Sequence, residues 1–472
     1  MVMLAEAPAV RKRILLAVCG IALEAWALTA LLQSPGADIP RHVVFTLVAS
    51  AVWIVALVLG VSLPAGGWRR DLAFIFLVAV AMRVTLLMTP PSLSDDAYRA
   101  VWDARLVHAG VNPYEYAPAA TETEPYRDEN IWPRVNHKEQ RTPYPPLATV
   151  LSAAAYRVFP EQLVGIQALA ALADLVAAGL LAWLLGRIGS DPRRCLAIAW
   201  SPIGALHFAH SGHNDAIMLA AMLAAPLLLT YGRRKAAFVA LGLATATKGI
   251  PALTVPAFLR TGGRLGIAFW AATCAIVTLP FIGAGLGLAA GALLEAGGQR
   301  FNDSAYLLVE RATRLVWPSG GVAAANAFAA VAIVGAVIVS ALRSNGSPRG
   351  ALVAGCRVLG VYLLVAPVVE PWYFTWLAPL IALELPAMRN LAVPPRGGEA
   401  LAWLWLSGAA TLTDLTYLPG GTAFWPAIRA IEYVPAYVLL GFAAAGWLRH
   451  RQQEKPEPEG APAFRSFAAK RG

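Results

Sequence analysis

Charged residues are scarce in this chain. Only 14% of its 472 residues are Asp, Glu, Lys or Arg, whereas a typical soluble domain carries about 25%. Apolar residues make up 58%, and they gather in repeated runs of about 20, the length that crosses a bilayer as a helix. The composition excludes an ordinary soluble enzyme. It predicts an all-α fold, a polytopic transmembrane helix bundle of about 11–13 spans, some of them broken or re-entrant.

Cysteine is scarce too, and the common cofactor motifs are missing. The four cysteines lie far apart in apolar or helix-end contexts, at Cys19, Cys195, Cys274 and Cys356. Their spacing fits neither a disulfide framework nor a metal site, so we expect small buried side chains. The sequence contains no Walker loop, no dinucleotide-binding fingerprint and no HExxH motif. We therefore expect no cofactor and no bound metal.

The net charge of +10 has a topological meaning. The Lys and Arg residues sit in short clusters between apolar runs, as at 11–13, 69–70 and 233–235, and not along one basic face. This pattern argues against a nucleic-acid partner. The positive-inside rule places such clusters in the cytoplasm. Two long loops, 90–160 and 287–319, are then expected on the extracytoplasmic side.

These assignments give a simple domain organisation. Residues 1–448 are predicted to form the membrane bundle, with a retained first helix in place of a cleaved signal peptide. Residues 449–472 are polar and rich in Pro and Glu, which predicts a disordered cytoplasmic tail. The expected location is the cell inner (cytoplasmic) membrane, where the protein is multi-pass.

Polar or Pro-containing turns interrupt three of the apolar segments. The segment 236–260 is broken at 247–251, and the segment 358–387 is broken at 369–373. A hairpin is predicted at 196–231, and its turn carries two histidines, an asparagine and an aspartate. Irregular backbone at membrane depth is tolerated only where protein or a wet cavity surrounds it. The breaks at 247–251 and 369–373 therefore predict an internal cavity.

The longest polar interval, 93–146, is too long for a mere connection. A helix is predicted from Asp95 to about Gly110, capped by Ser94, and a second, short helix is expected at the membrane interface over 147–159. Asp95 and Asp96 begin the first helix, directly after an outward-going span. A partly desolvated carboxylate at that place can act as a general base toward a hydroxyl. The structural alternative is an acidic pair that complements the helix dipole.

Other polar and aromatic side chains near these positions could bind a substrate. Lys248, at a membrane-depth break, offers a point charge to a phosphate. Glu370 could pair with Lys248 or an Arg, or hold a sugar hydroxyl. Snorkelling, ion pairing and lipid-headgroup contact are the alternatives for such residues. The predicted catalytic residues are Asp95 and Asp96, and the predicted substrate-binding residues are Tyr98, Arg99, Trp102, Arg141, Tyr144, His213, Asn214, Asp215, Lys248, Glu370, Trp372 and Tyr373.

Together these motifs resemble a known family. The stretches 95–105, 110–114 and 141–146, with the breaks at 212–215, 246–251 and 371–373, resemble the integral-membrane glycosyltransferases of the C superfamily. The nearest likeness is to bacterial polyprenyl-phosphate-mannose-dependent mannosyltransferases. The resemblance implies a catalytic Asp in the first large outer loop and a lipid-linked sugar donor. It further implies inverting transfer of a hexose, usually mannose, outside the cytoplasmic membrane, without a required metal.

One departure and two alternative functions stay open from the sequence. Relatives often have His where this chain has Glu370, which leaves the role of that residue unassigned. A glycolipid transporter or flippase would also use broken helices, although internal symmetry is not visible. An O-antigen-type ligase or polymerase would rely on Arg and His more than on an Asp pair. The expected partners are a polyprenyl-phosphate-linked sugar donor, a lipid or glycan acceptor, and membrane lipids.

Overall fold

The protein is described here by a computed structural model that covers residues 2–291, 299–385 and 398–453. Within these ranges the secondary structure is helical and contains no β-strand. A single isolated bridge pairs Phe301 with Val368. The predicted all-α bundle is confirmed.

The first six α-helices contain the predicted outer loop. They are α1 (Val2–Leu32), α2 (Ile39–Gly60), α3 (Trp68–Leu87), α4 (Asp96–His108), α5 (Pro146–Val158) and α6 (Leu163–Arg187). Two of them, α4 and α5, are the two helices predicted inside the loop. The cap was predicted one residue too early. Asp95 occupies the N-cap position of α4, while the Ser94 hydroxyl accepts a hydrogen bond from the Asp96 N–H at 3.2 Å.

The remaining helices are shorter on average and often end at a 3₁₀ turn. They are α7 (Leu196–Ala199), α8 (Pro202–Ala205), α9 (Asp215–Thr230), α10 (Arg234–Thr247), α11 (Leu259–Thr278), α12 (Ala305–Arg314), α13 (Gly321–Arg343), α14 (Pro348–Val365), α15 (Ala378–Glu384), α16 (Gly398–Ala409) and α17 (Trp425–Gln453). A π-turn covers Leu206–His210. The 3₁₀ segments are Pro35–Ala37, Thr121–Tyr126, Trp132–Arg134, Pro192–Cys195, Ile250–Phe258, Leu279–Ala284, Pro371–Leu377, Ala410–Tyr417 and Gly421–Phe424.

Fewer helices qualify as membrane spans than the sequence predicted. In the described ranges seven are long and apolar enough to cross a membrane, or eight if one bent pair counts as a single span. The expected 11–13 included broken segments whose parts are short, such as α9 with 16 residues and α10 with 14. It also included α3, which is interrupted by charge at Arg69, Arg70, Asp71 and Arg83.

All three predicted breaks are confirmed. The helix α10 ends at Thr247, and a 3₁₀ segment begins at Ile250. A second 3₁₀ segment, Pro371–Leu377, separates α14 from α15. The hairpin Pro202–His210 and Asp215–Thr230 bends by 120°. Its turn needs Gly212, because φ is +78° there and an added Cβ would lie 3.2 Å from the Ile166 side chain.

A buried ion pair joins α3 to α6. Arg83 Nη2 lies 2.5 Å from Asp174 Oδ2, and both side chains are at most 1% exposed. The same guanidinium donates to the carbonyl oxygens of Ile198, at 3.3 Å, and Ala199. Nearby, the Gln167 amide donates to the carbonyls of Thr89 and His210. These bonds fix the end of α3, which leads into the carboxylate loop, against α6 and the hairpin turn.

Some predictions about the ends and loops reach beyond the described residues. The helix α17 continues to Gln453, past the predicted end of the bundle at residue 448. The rest of the predicted tail, and residues 292–298 of the second outer loop, lie outside the described ranges. The four cysteines are unpaired thiols, three buried and Cys274 partly so, as predicted. The side of the membrane on which each loop lies stays a prediction.

Candidate active site

A cavity of about 1030 Å³ lies between the start of α4, the following loop, α5, α6 and the three breaks. The predicted site residues that line it are Asp95, Asp96, Tyr98, Tyr144, His213, Asn214, Asp215, Lys248, Glu370, Trp372 and Tyr373. Segments distant in sequence thus meet around one space. The predicted cavity at the breaks is therefore present, and the first outer loop forms part of its wall.

The two carboxylates at the start of α4 are bridged by one amide. Asn136 Nδ2 donates to Asp95 Oδ1 at 2.8 Å and to Asp96 Oδ1 at 2.8 Å. An amide nitrogen carries two N–H donors, so it can satisfy both acceptors. The next residue, His137, has a left-handed backbone with φ of +43°, which is uncommon for a residue other than glycine. The loop therefore holds both carboxylates on one wall of the cavity.

Only one of the carboxylates has a histidine partner. His213 Nδ1 lies 3.2 Å from Asp96 Oδ2. The imidazole stacks on Trp372, with ring centroids 3.6 Å apart and planes 17° apart. Its other nitrogen, Nε2, is buried and has no hydrogen-bond partner in the described structure. His213 therefore holds Asp96 in place.

The unequal surroundings separate the basicities of the two carboxylates. Burial raises the pKa of Asp95, the hydrogen bond from Asn136 opposes that rise, and the charge of Asp96 adds to it. Burial also acts to raise the pKa of Asp96. There, however, the interactions with His213 and the hydrogen bonds from Asn136 and Tyr144 outweigh burial and lower the pKa to about 2. Asp95 is consequently the stronger base, and its side chain is also the more exposed.

The partner of Lys248 differs from one predicted for it. Lys248 Nζ lies 2.7 Å from Asp215 Oδ1, which also accepts a 2.7 Å hydrogen bond from Trp376 Nε1. The ammonium stands over the Tyr373 ring at 4.2 Å. The sequence suggested Glu370 as the resting partner. The bend before α9 corrects that suggestion, because it brings Asp215, the first residue of α9, against the end of α10.

Three predicted substrate-binding residues do not line the cavity: Arg99, Trp102 and Arg141. Arg99 is buried, bonds to Asp103 at 3.0 Å, and donates to the Gln140 carbonyl at 3.0 Å. Trp102 is fully buried in the apolar cluster between α4 and the loop. Arg141 is exposed. The first two lie on the face of α4 that packs against its own loop, so they hold the loop together.

Several cavity residues were missed from the sequence, among them Arg134, Asn136, Gln299 and Tyr417. Arg134 Nη1 donates to the Tyr98 hydroxyl at 2.5 Å. Gln299 reaches across from the second outer loop, with its Nε2 3.4 Å from His137 Nε2. Asn136 and Arg134 lie in a loop without periodicity, so only the polar, aromatic-rich character of the interval pointed to them.

Comparisons with known proteins agree with the site. The family described as "Alpha-(1->6)-mannopyranosyltransferase, N-terminal domain" matches residues 43–261. Alpha-(1->6)-mannopyranosyltransferase A of Mycobacterium tuberculosis is 24% identical over 376 residues, covering 70% of this chain and 71% of that protein. A probable alpha-(1->6)-mannopyranosyltransferase of Mycolicibacterium smegmatis is 28% identical over 157 residues, covering 30% of this chain and 26% of that protein.

The matched region contains most of the cavity walls. Residues 43–261 include the carboxylate pair, Asn136, His213 and Lys248. The comparisons, taken with the helical bundle, favour an enzyme over a transporter and confirm the resemblance that the loop motifs carried. This multi-pass membrane protein is a glycosyltransferase that is similar to the alpha-(1->6)-mannopyranosyltransferases.

Proposed function

We propose that this enzyme transfers mannose from a polyprenyl-phosphate donor to a lipid- or glycan-linked acceptor on the extracytoplasmic side of the cytoplasmic membrane. The observation that carries the proposal is the carboxylate pair, bridged by Asn136, on the wall of a large cavity. The printed names of the relatives support mannose as the sugar. The Lys and Arg clusters support the outer side for the carboxylates.

The cavity lining suits a lipid-linked donor. Apolar side chains from α5 and α6 cover part of it, among them Ala148, Ile166 and Leu169. Polar and charged side chains gather at α4 and at the breaks. A polyprenyl phosphate has the same division, an apolar chain and a charged head that carries the sugar. Nucleotide sugars are not available outside the cytoplasmic membrane, so a lipid carrier also brings the donor sugar to that side.

In this proposal Asp95 is the general base. The acceptor hydroxyl loses its proton to Asp95 as its oxygen attacks the anomeric carbon, and the bond from that carbon to the phosphate oxygen breaks. The phosphate leaves with the electron pair, and Asp95 later releases the proton to solvent, to which it is exposed. A single displacement inverts the anomeric centre. Asp96, held by Asn136 and His213, stays ionised and raises the basicity of its neighbour.

Transfer by the purified protein in lipid vesicles tests the donor. Mannose supplied on a polyprenyl phosphate should reach a mannose-terminated glycolipid, whereas mannose supplied on a nucleotide should not. Asp95→Asn should abolish the transfer, and Glu139→Gln is the matched control because that exposed loop carboxylate lies outside the cavity lining. Transfer from the nucleotide sugar alone would overturn the proposed donor.

Cysteine labelling tests the side of the membrane. Thr121 is exposed at the start of a 3₁₀ segment in the first outer loop, so Thr121→Cys should react with an impermeant thiol reagent added outside intact cells. The native cysteines are buried or partly buried, which keeps the background low. Labelling that requires access from the cytoplasm would contradict the proposed geometry.

A further inference from the structure

One guanidinium in the cavity has no carboxylate partner. Arg134 ends the 3₁₀ turn Trp132–Arg134, lines the cavity and is exposed. Its Nη1 donates to the Tyr98 hydroxyl at 2.5 Å, and its carbon Cζ lies 5.3 Å from the centroid of the Tyr98 ring. No carboxylate of the described residues lies within 4.0 Å of its nitrogens. The contact with Tyr98 fixes the group without neutralising it.

Lys248 differs from Arg134 in this respect. Its ammonium is already paired with Asp215 at 2.7 Å and covered by the rings of Tyr373 and Trp376. An anion that approached Lys248 would meet the negative charge of Asp215 at the same place. An anion that approached Arg134 would meet a full positive charge with further N–H donors in a planar fork, the arrangement that suits phosphate oxygens.

The guanidinium and the carboxylates belong to one local assembly. Tyr98, which holds Arg134, lies two positions after Asp96 on α4. Asn136, which bridges Asp95 and Asp96, lies two positions after Arg134 in the loop. A displacement at an anomeric carbon needs a base on the acceptor side and a cation on the leaving-group side of the same carbon. Asp95 and Arg134 offer these two groups within one local assembly.

We infer that Arg134, positioned by Tyr98, binds the phosphate of the donor and stabilises its charge as it leaves. This inference rests on the proposed polyprenyl-phosphate donor. It assigns to Arg134 the role that the sequence suggested for Lys248, and leaves Lys248 as part of an ion pair that shapes the opposite wall. A cation that meets charge developing on the leaving oxygen contributes to rate as well as to affinity.

Binding of a short-chain polyprenyl monophosphate to the purified protein in lipid nanodiscs tests the inference without an acceptor. Arg134→Gln should weaken binding by about 10- to 100-fold, the usual range for loss of a charged hydrogen bond. Arg134→Lys should lose less, since it keeps the charge but not the fork. The uncharged polyprenol is the second probe, and its binding should not change in either variant.

Arg127→Gln is the matched control. Arg127 lies in the same loop but bonds to the carbonyls of Pro118 and Ala120 and does not line the cavity, so its substitution should leave phosphate binding unchanged. Lys248→Met should weaken binding less than Arg134→Gln. Thermal unfolding of each variant checks the fold. If Arg134→Gln does not fold, the affinity of Arg134→Lys for the monophosphate is the test. An affinity equal to that of the wild type then counts against the inference.

The outcomes separate this inference from the proposed function. Equal affinity of wild type and folded Arg134→Gln for the monophosphate overturns the role of Arg134 and leaves the polyprenyl-phosphate donor standing. A larger loss in Lys248→Met than in Arg134→Gln has the same meaning and returns the phosphate to Lys248. Failure of the wild type to bind the monophosphate, with transfer from a nucleotide sugar, overturns the donor itself.

Discussion

The two charged walls of the cavity are built differently. The loop wall consists of Asp95, Asp96, Arg134 and Asn136, and the break wall is centred on Lys248 with its partner Asp215. Each wall carries at least one negatively charged and one positively charged side chain. On the break wall they are joined at 2.7 Å and surrounded by aromatic rings. On the loop wall the hydrogen-bond partners of Asp95 and Arg134 among the described residues are neutral, Asn136 and Tyr98.

The difference follows from where each wall lies. A charge at membrane depth costs several kcal/mol unless it is paired, so the break wall needs an ion pair in its resting state. Asp95 and Arg134 on the loop wall are exposed, and an exposed carboxylate or guanidinium can stay ionised without a partner. Intramembrane charge therefore marks the site but does not identify the groups that act on the substrate. The available charges lie on the loop wall.

The largest effect is expected on the loop wall. Asp95→Asn removes the proposed base, and the rate of transfer should fall by about 10²–10⁴-fold. Asp96→Asn should cost less, because Asp96 acts through its neighbour. Steady-state transfer rates of the folded variants check this order. A greater loss in Asp96→Asn than in Asp95→Asn would reverse the assignment of the base.

On the break wall the expected effect is on stability. Asp215→Asn removes the carboxylate that neutralises Lys248, whose side chain is 20% exposed. Loss of one member of a buried pair costs about 3–5 kcal/mol, and partial exposure reduces this to roughly 2 kcal/mol. Thermal unfolding in lipid should show the loss. The double variant Asp215→Asn/Lys248→Met should recover part of it, and no recovery would mean that the two residues are not energetically coupled.

The pH dependence of kcat/KM sharpens the roles on the loop wall. The base must be ionised, so activity should fall as the pH drops through the pKa of Asp95, which burial raises above its usual value. The charge of Asp96 raises that pKa further, so Asp96→Asn should move the acid limb to lower pH. The Asn136 amide lowers the pKa, so Asn136→Ala should move the limb to higher pH. Shifts of the same sign in both variants would exclude Asp95 as the titrating base.

The smallest effect is expected at the turn between the two walls. Gly212→Ala places a side chain at φ +78° and within 3.2 Å of Ile166, which should lower the free energy of unfolding by about 1 kcal/mol. Gly179→Ala in α6 is the control, because an added Cβ there meets nothing within 4 Å. Chemical unfolding of the two variants compares them. A stable Gly212→Ala would show that the turn relaxes around the methyl group.

Local signals in the sequence were sufficient to predict the breaks and 11 of the residues that line the cavity. Gly, Pro and polar residues inside apolar runs mark the ends of helices, and the interruption at Lys248 is found where these residues predicted it. The helix that begins with the carboxylates was likewise visible as a polar stretch with a capping residue. The two carboxylates of the loop wall and both members of the break wall could therefore be named, although Arg134, Asn136 and the pairing of Lys248 with Asp215 could not.

Pairing depends on angles that local patterns do not contain. Lys248 meets Asp215 because the hairpin bends by 120°, and no periodicity in the sequence sets that angle. Asn136 reaches the carboxylates from a loop without a repeating pattern. The prediction that Arg99 and Trp102 bind the substrate was wrong for a related reason. The sequence identified them as polar and aromatic residues near the carboxylates, but it did not show that they pack against the loop.

The ion pair between α3 and α6 has a consequence for the biosynthesis of this protein. The helix α3 is not among those apolar enough to qualify as a span, and it carries Arg83, whose partner Asp174 is contributed by α6. Each of these charges costs roughly 2.5–3.5 kcal/mol if it must enter the hydrocarbon alone at the centre of a helix. The ion pair removes this cost, so we expect membrane insertion of α3 to depend on α6. Insertion of this bundle is therefore cooperative between helices separated by the entire first outer loop.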